Sequence, residues 1–224
     1  MSTVQSQKSY YEKYWAEGRA GFSGDRQGYA TNFRNWMRSE LRRLPRDATI
    51  LEVGCGDGAF TKDLAEYSSD ITALDISAHQ IQLNARAYPD LRFLQHDVSE
   101  RLPFDEGTFE VIWCSEVLEH LFDPGFALRE MFRVMAPGGK LLVTVPYHGL
   151  FKNVMIALFK WDEHFAPTHP HVRFFTRNTL ARAAANAGFA VTRTRTCGMN
   201  KPGRDWLIAT NILLSAAKPG PLVR

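Results

Sequence analysis

The sequence predicts an α/β fold in which a mainly parallel sheet is covered by helices on both faces. Strand and helix signals alternate from about residue 48 to residue 146. The strands are short apolar runs with no polar face, as in a sheet buried on both sides. The first of them runs through three alternating glycines directly into a helix.

Each element has its own warrant. Residues 49–53 read as a buried strand, and 57–67 as a helix with Phe60, Leu64 and Ala65 on one side. Residues 71–74 are a strand, and Ser77 is placed to cap a helix reaching Tyr88. Residues 91–94, 109–114 and 140–145 are further strands. Between the last two, 124–135 is helical, with Pro124 in its first turn and Pro137-Gly138-Gly139 stopping it. Upstream, Phe33, Trp36, Met37, Leu41 and Leu44 recur every three or four residues, so 32–44 is a helix packed on the sheet. Tyr10, Tyr11, Tyr14 and Trp15 form an aromatic stripe, read first as a helix face docked on the core and alternatively as a lid over a small-molecule site. Beyond Val145 the pattern changes to an apolar helix (149–161) and a loop rich in His and Pro (162–175). A glycine-ended helix (176–188) follows, then strands at 189–196 and 206–217.

The 224 residues suffice for one core of ordinary size. With 45% apolar and 23% charged residues the chain has the make-up of a folded, soluble protein rather than a disordered one. Its net charge of +3 comes without a basic block, since Arg34, Arg38, Arg42 and Arg43 read as a solvated helix face. No nucleic-acid partner is expected. Cys55, Cys114 and Cys197 are odd in number and widely spaced, which fits a reducing compartment. The first fifteen residues lack a signal-peptide core and no apolar run is long enough to span a bilayer, so a cytoplasmic location is expected.

The strongest local signal is Ile50-Leu-Glu-Val-Gly54-Cys-Gly56-Asp-Gly58-Ala-Phe60. Glycine serves where a backbone turns sharply or a ligand lies against it. Asp75 follows Gly54 by twenty-one residues, at the tip of the next strand, where a carboxylate accepts hydrogen bonds from both hydroxyls of a ribose. The spacing departs from the dinucleotide pattern, and Asp57 stands at the helix start, where a pyrophosphate would otherwise sit. Glu52 adds a second negative group. A ligand with a ribose, no phosphate and a cationic amino-acid arm suits this loop better, and S-adenosylmethionine (SAM) is such a ligand.

At this point the chain resembles a known family. From residue 50 to residue 146 it is similar to the class I SAM-dependent methyltransferases. Glu52-Val-Gly-Cys-Gly-Asp-Gly58 resembles their first motif, which implies that Glu52, Gly54, Cys55, Gly56 and Gly58 cradle the methionine part of SAM. Asp75 matches the ribose-holding acid, with Ile76 beside the adenine. His96-Asp97-Val98 resembles the segment that implies Asp97 at the adenine amino group. Cys114-Ser-Glu-Val-Leu-Glu-His120 resembles the segment bordering cofactor and methyl, and 128–139 the helix and turn before the fifth strand. The resemblance implies a Rossmann-like, doubly wound sheet of seven strands with the last antiparallel. The sequence shows no internal repeat, low-complexity tract or linker, so one domain suffices, made of N-terminal helices or lid (1–47), cofactor-binding core (48–146), cap and acceptor region (147–188) and C-terminal strands (189–224).

The motifs identify the cofactor and leave the acceptor open. SAM carries an activated methyl group, so the protein must chiefly align an acceptor, and a hydroxyl acceptor gains from a general base. Acceptor-side candidates follow strands four and five: Ser115 and Glu116, then Tyr147 and His148. Of seven histidines, His148 leads as a base, with His171 and His164 next. His79 reads as exposed, His96 as a pocket wall, and His120 as structural or adjacent to the cofactor. His164, His169 and His171 lie close in sequence, but prolines restrict the loop and no metal is expected. On a helical wheel Lys152, Asn153 and Lys160 share one narrow sector of an otherwise apolar helix. That helix is read first as a buried cap, alternatively as a wall for an apolar or lipid-linked acceptor or a membrane-surface contact. The looser resemblance of 171–189 is to enzymes that modify sugars, quinones or natural products, so O-methylation of such a molecule is expected. A SAM-binding regulator without methyl transfer is the alternative.

Overall fold

The computed structural model describes residues 3–17, 28–166, 170–198 and 209–220. Seven strands form one sheet: β1 (Thr49–Val53), β2 (Asp70–Asp75), β3 (Arg92–Gln95), β4 (Phe109–Ser115), β5 (Met135–Pro146), β6 (Ala190–Cys197) and β7 (Asn211–Ala217). Their order is β3-β2-β1-β4-β5-β7-β6. Pairings among β1 to β5 are parallel, and β7 runs antiparallel to both of its neighbours, β5 and β6. This is the seven-stranded sheet with an antiparallel last strand that the resemblance implies.

Eight helices accompany it among the described residues: α1 (Thr3–Ala16), α2 (Gly28–Leu41), α3 (Ala59–Leu64), α4 (Ala78–Ala87), α5 (Pro124–Val134), α6 (Leu150–Phe159), α7 (Trp161–His164) and α8 (Arg177–Asn186). A 3₁₀ turn at Leu118–His120 follows β4. Strand alternation sorts the apolar side chains into two layers. Leu51, Val53, Ile112 and Cys114 face α5 and α8, whereas Ile50, Val111 and Trp113 face α2 and α3. Burial of side chains of this size contributes about 1.5–3 kcal/mol each. The spacing of Phe33, Trp36, Met37 and Leu41 on α2 matches the second layer, and all four are buried there.

Departures from the sequence reading have local causes. The first sheet-connecting helix starts only at Ala59, because Gly58 adopts φ 75° and Asp57 instead accepts the Ala59 N–H at 3.2 Å. Pro137-Gly138-Gly139 does not end in a loop but runs on as strand. Gly138 donates to the Lys218 carbonyl (2.9 Å) and Lys218 donates to that of Gly139 (3.0 Å), which keeps this stretch extended beside the end of β7. The loop expected at 162–175 contains α7. The strand expected at 206–217 begins at Asn211; residues 206–208, like His169, lie outside the described residues.

The largest departure is α6, which is not a buried cap. Of its narrow polar sector Lys152 turns inward and donates to the Tyr147 carbonyl (3.0 Å), Asn153 meets His148 from an exposed position, and Lys160 pairs with Glu163 on the surface. Ile156 is the buried apolar residue, whereas Leu150, Leu158 and Phe159 are 83%, 66% and 69% exposed. The helix is amphipathic with its apolar side outward, the reverse of an ordinary surface helix.

Candidate active site

At the carboxyl ends of β1, β2 and β4 the sheet opens into a cavity of about 390 Å³. The chain leaves β1 toward β2 on one side and leaves the adjacent β4 toward β5 on the other, and such a switch point is where open α/β sheets bind ligands. The volume lies within the roughly 300–1,000 Å³ of small-molecule sites.

Its floor is the glycine loop. Gly54 (φ 74°) and Gly56 (φ 50°) take left-handed conformations, and the Gly54 and Cys55 N–H groups both donate to the Leu74 carbonyl at 2.8 Å. A Cβ on Gly54 would stand 2.3 Å from Val117, and one on Gly56 2.9 Å from Trp15. The wall there is bare backbone because a side chain does not fit. Asp75 ties the loop to β2: one carboxylate oxygen accepts from Gly56 N–H and the other from Ser77 N–H, each at 2.9 Å. Burial raises its pKa, and those hydrogen bonds oppose the rise.

Beside it, Asp97 uses one oxygen to accept the Ser99 N–H (2.8 Å), while the other is buried with no partner among the described residues. The Nε2 of His96 is likewise buried and unpartnered there. An unmet buried acceptor costs about 1–3 kcal/mol and calls for a donor from a ligand. A glycine cradle, a ribose-type acid and an acceptor left open at the far end together fit SAM. Gly54, Cys55, Gly56, Asp75, Ile76, Asp97, Val98 and Ser115 all line this one cavity.

The roof is helix α1. Tyr11, Tyr14 and Trp15 line the cavity, so the aromatic stripe forms a lid. Glu12 fastens it: its carboxylate accepts from the Ser77 hydroxyl (2.8 Å) and from the N–H groups of Ala78 (2.7 Å) and His79 (3.2 Å) at the start of α4.

The remaining wall comes from the segment after β4 and from residues 170–171. Glu116 holds φ 56°, uncommon for a side-chain-bearing residue. Its two oxygens accept from Thr144 Oγ1 and Asn211 Nδ2, each at 2.9 Å, which fixes it in the cavity wall. Glu119 and His120 follow on the 3₁₀ turn. The Glu119 carbonyl accepts the N–H groups of Val172 (2.9 Å) and Arg173 (3.0 Å), drawing His171 to the same wall.

Several residues expected at the site lie elsewhere. Glu52 points to the α2/α3 side of the sheet, where its carboxyl accepts from Thr61 Oγ1 at 2.5 Å; burial pushes its pKa up to about 8. Cys114 alternates into the opposite layer and is fully buried. Gly58 faces Tyr88 and Asn84. Tyr147 is held in a bridge to Phe175 and its ring lies over Gly149. His148 donates its N–H to the Phe175 carbonyl (2.8 Å), which turns its ring onto Phe174 and His164 at 4.8 and 5.2 Å. His148 and His164 therefore form an aromatic cluster that does not line the cavity, and of the three expected bases His171 alone does. The sequence reading missed Phe60, Val117, Glu119 and Asn211 as cavity residues and placed His120 there only as an alternative. The motif Cys114–His120 holds the signal for two of these, whereas nothing in the sequence marks Asn211.

Comparison with known proteins bears on this geometry. Residues 26–194 match the family model described as a methyltransferase domain. The chain is 29% identical over 188 residues to the ubiquinone biosynthesis O-methyltransferase of Psychrobacter arcticus, covering 76% of this chain and 71% of that one. It is 35% identical over 154 residues to the 2-methyl-6-phytyl-1,4-hydroquinone methyltransferase of a Synechocystis species, covering 63% and 48%. The chain thus spans only about half of that second relative. The solved structure of an S-adenosylmethionine-dependent methyltransferase from Mesorhizobium loti superposes with a TM-score of 0.67 at 19% identity, covering 86% of this chain and 99% of that one.

Proposed function

The chain belongs to the SAM-dependent methyltransferases of class I, and on that premise we propose that it methylates a hydroxyl of a small, quinol-type acceptor that carries an apolar portion. The observation that carries the reading is the cavity itself, whose lining joins the cofactor-type residues Gly54, Asp75 and Asp97 to His171, Glu116, Glu119, His120 and Asn211. Relatives named for ubiquinone and for a phytyl hydroquinone support a phenolic hydroxyl as acceptor and an apolar tail on it. The outward apolar side of α6 supports the tail and, with it, contact with a membrane surface.

Asp75 would hold the ribose, Asp97 the adenine amino group, and the backbone of Gly54 to Gly56 the methionine arm. When bound, SAM supplies a methyl group already activated by its sulfonium. Lid residues Tyr11, Tyr14 and Trp15 exclude water and restrict the acceptor's approach, and alignment of this kind lowers a barrier by about 7–11 kcal/mol. His171, which lines the cavity, is the residue we assign to take the acceptor's hydroxyl proton, and a positioned base contributes about 10²–10⁴ in rate.

Methyl-labelled SAM incubated with a short-chain quinol, its fully O-methylated counterpart and a matched aromatic amine tests the reading. Label is expected on the quinol oxygen and on neither control. Label on the amine alone would overturn the hydroxyl assignment.

A further inference from the structure

One group at the cavity has no task in the function proposed above. Glu119 is 1% exposed and lines the cavity, yet neither of its carboxylate oxygens has a hydrogen-bond partner among the described residues. A buried carboxylate is costly unless something offsets its charge. Its neighbours are placed to do so. His120 Nδ1 lies 3.2 Å from the Pro170 carbonyl, which makes that nitrogen the donor and leaves Nε2 basic, 3.7 Å from Glu119 Oε1. The His171 ring meets that of His120 edge-on at 4.8 Å, and one polar atom from each of the three residues falls within 4.8 Å of the others. Other titratable groups facing the carboxylate are Glu116, Cys114 and the Tyr11 hydroxyl, none of which brings a positive charge.

We propose that Glu119 is a positioning residue, the buried counter-charge of a proton-accepting unit with His120 and His171 that receives the acceptor's hydroxyl proton. This rests on the hydroxyl reading above. In the step, the acceptor O–H bond breaks and its proton passes to the imidazole of His171. The oxygen's electron pair forms the new bond to the methyl carbon, and the electron pair of the sulfur–methyl bond stays on sulfur, leaving a neutral thioether. The imidazolium so formed is stabilised by Glu119 directly and through His120, and the proton leaves to water when the site opens. Burial and the charge of Glu116 raise the Glu119 pKa well above the ordinary range, which measures how costly an unpaired carboxylate is at this place and what a neighbouring imidazolium would offset.

Histidine-labelled NMR titration of the full chain, wild type and Glu119→Gln, tests the pairing without any acceptor. His120 and His171 are expected to titrate lower in the variant by about 1 pH unit or more. In turnover, Glu119→Gln is expected to lose about 10²-fold in kcat and to move the acid limb of the pH profile to lower pH. SAM affinity is expected to stay unchanged, and Glu119→Asp to recover part of the rate. Identical histidine titrations, or equal losses of SAM affinity and melting temperature in both variants, would overturn the proposal. So would wild-type activity abolished by a chelator and restored by a divalent cation, since the three groups would then be metal ligands. If the wild type methylates no hydroxyl while both imidazoles still shift, the hydroxyl reading falls and the pairing stands.

Discussion

Asp75 shows how much a single carboxylate can organise. Its two oxygens hold the N–H groups of Gly56 and Ser77, one in the glycine loop and one at the cap of α4, so it shapes the cradle as well as lining the cavity. Hydrogen bonds to a charged group contribute about 1.5–3 kcal/mol each. Asp75→Ala is therefore expected to weaken SAM binding by about 10²-fold or more in calorimetry while the circular dichroism stays native; unchanged affinity would remove the cofactor assignment. Glu52 offers a second test at this scale. Its raised pKa, set by burial and increased by the charges of Asp57 and Asp75 against the Thr61 hydrogen bond, means that the folded state holds a proton the unfolded state has lost. Stability is thus fully present below the usual carboxylate pKa and falls as pH rises toward about 8. In Glu52→Gln that slope is expected to disappear from thermal melts run across the same window. Asp75 was legible because its distance from Gly54 is set by one short helix and one strand. Glu119 was not, since its surroundings depend on Val172 and Arg173, some fifty residues away.

At the scale of elements, the lid and α6 call for separate experiments. Glu12 joins α1 to the start of α4, where a carboxylate also meets the positive end of the helix dipole. Burial works against ionisation, but the hydrogen bonds from Ala78, Ser77 and His79 hold its pKa below the ordinary carboxylate range. The fastening is present above that range and is lost as pH falls through the depressed value. Glu12→Gln is expected to release bound SAM several-fold faster in stopped-flow fluorescence with little effect on melting temperature; an unchanged off-rate would separate α1 from cofactor retention. For α6, replacing Phe151 and Phe159 with Ser is expected to reduce co-sedimentation with lipid vesicles, and equal sedimentation would exclude membrane contact through this face. Periodicity placed this helix within a residue or two but not its orientation. A wheel shows that polar residues share a sector; it does not show that Lys152 and Asn153 are spent on the carbonyl of Tyr147 and on His148.

Across the whole molecule, the parallel sheet was legible in outline because its first five strands and most of their connecting helices follow one another in sequence. What escaped were pairings made at long range, such as the strand that continues through Pro137-Gly138-Gly139 between β4 and Lys218. The two-layer core sets stability. Trp113 packs against Trp36 and Phe60 and is fully buried, so Trp113→Ala is expected to cost about 3–5 kcal/mol in chemical denaturation. A loss under 1 kcal/mol would show that α2 does not form the second layer as described.

The place of β7 bears on how such a chain is made. Both edges of this strand are taken, by β5 on one side and β6 on the other, and β6 meets the sheet through β7. On a ribosome, residues 49–146 emerge early and can pair in order, but β6 must wait unpaired until residues 211–217 have cleared the exit tunnel. Synthesis advances at about 5–20 residues per second, so that interval lasts a second or more. Throughout it, β5 presents an open apolar edge to whatever else is nascent nearby, and the sheet closes only when the last strand slides in between two that are already there.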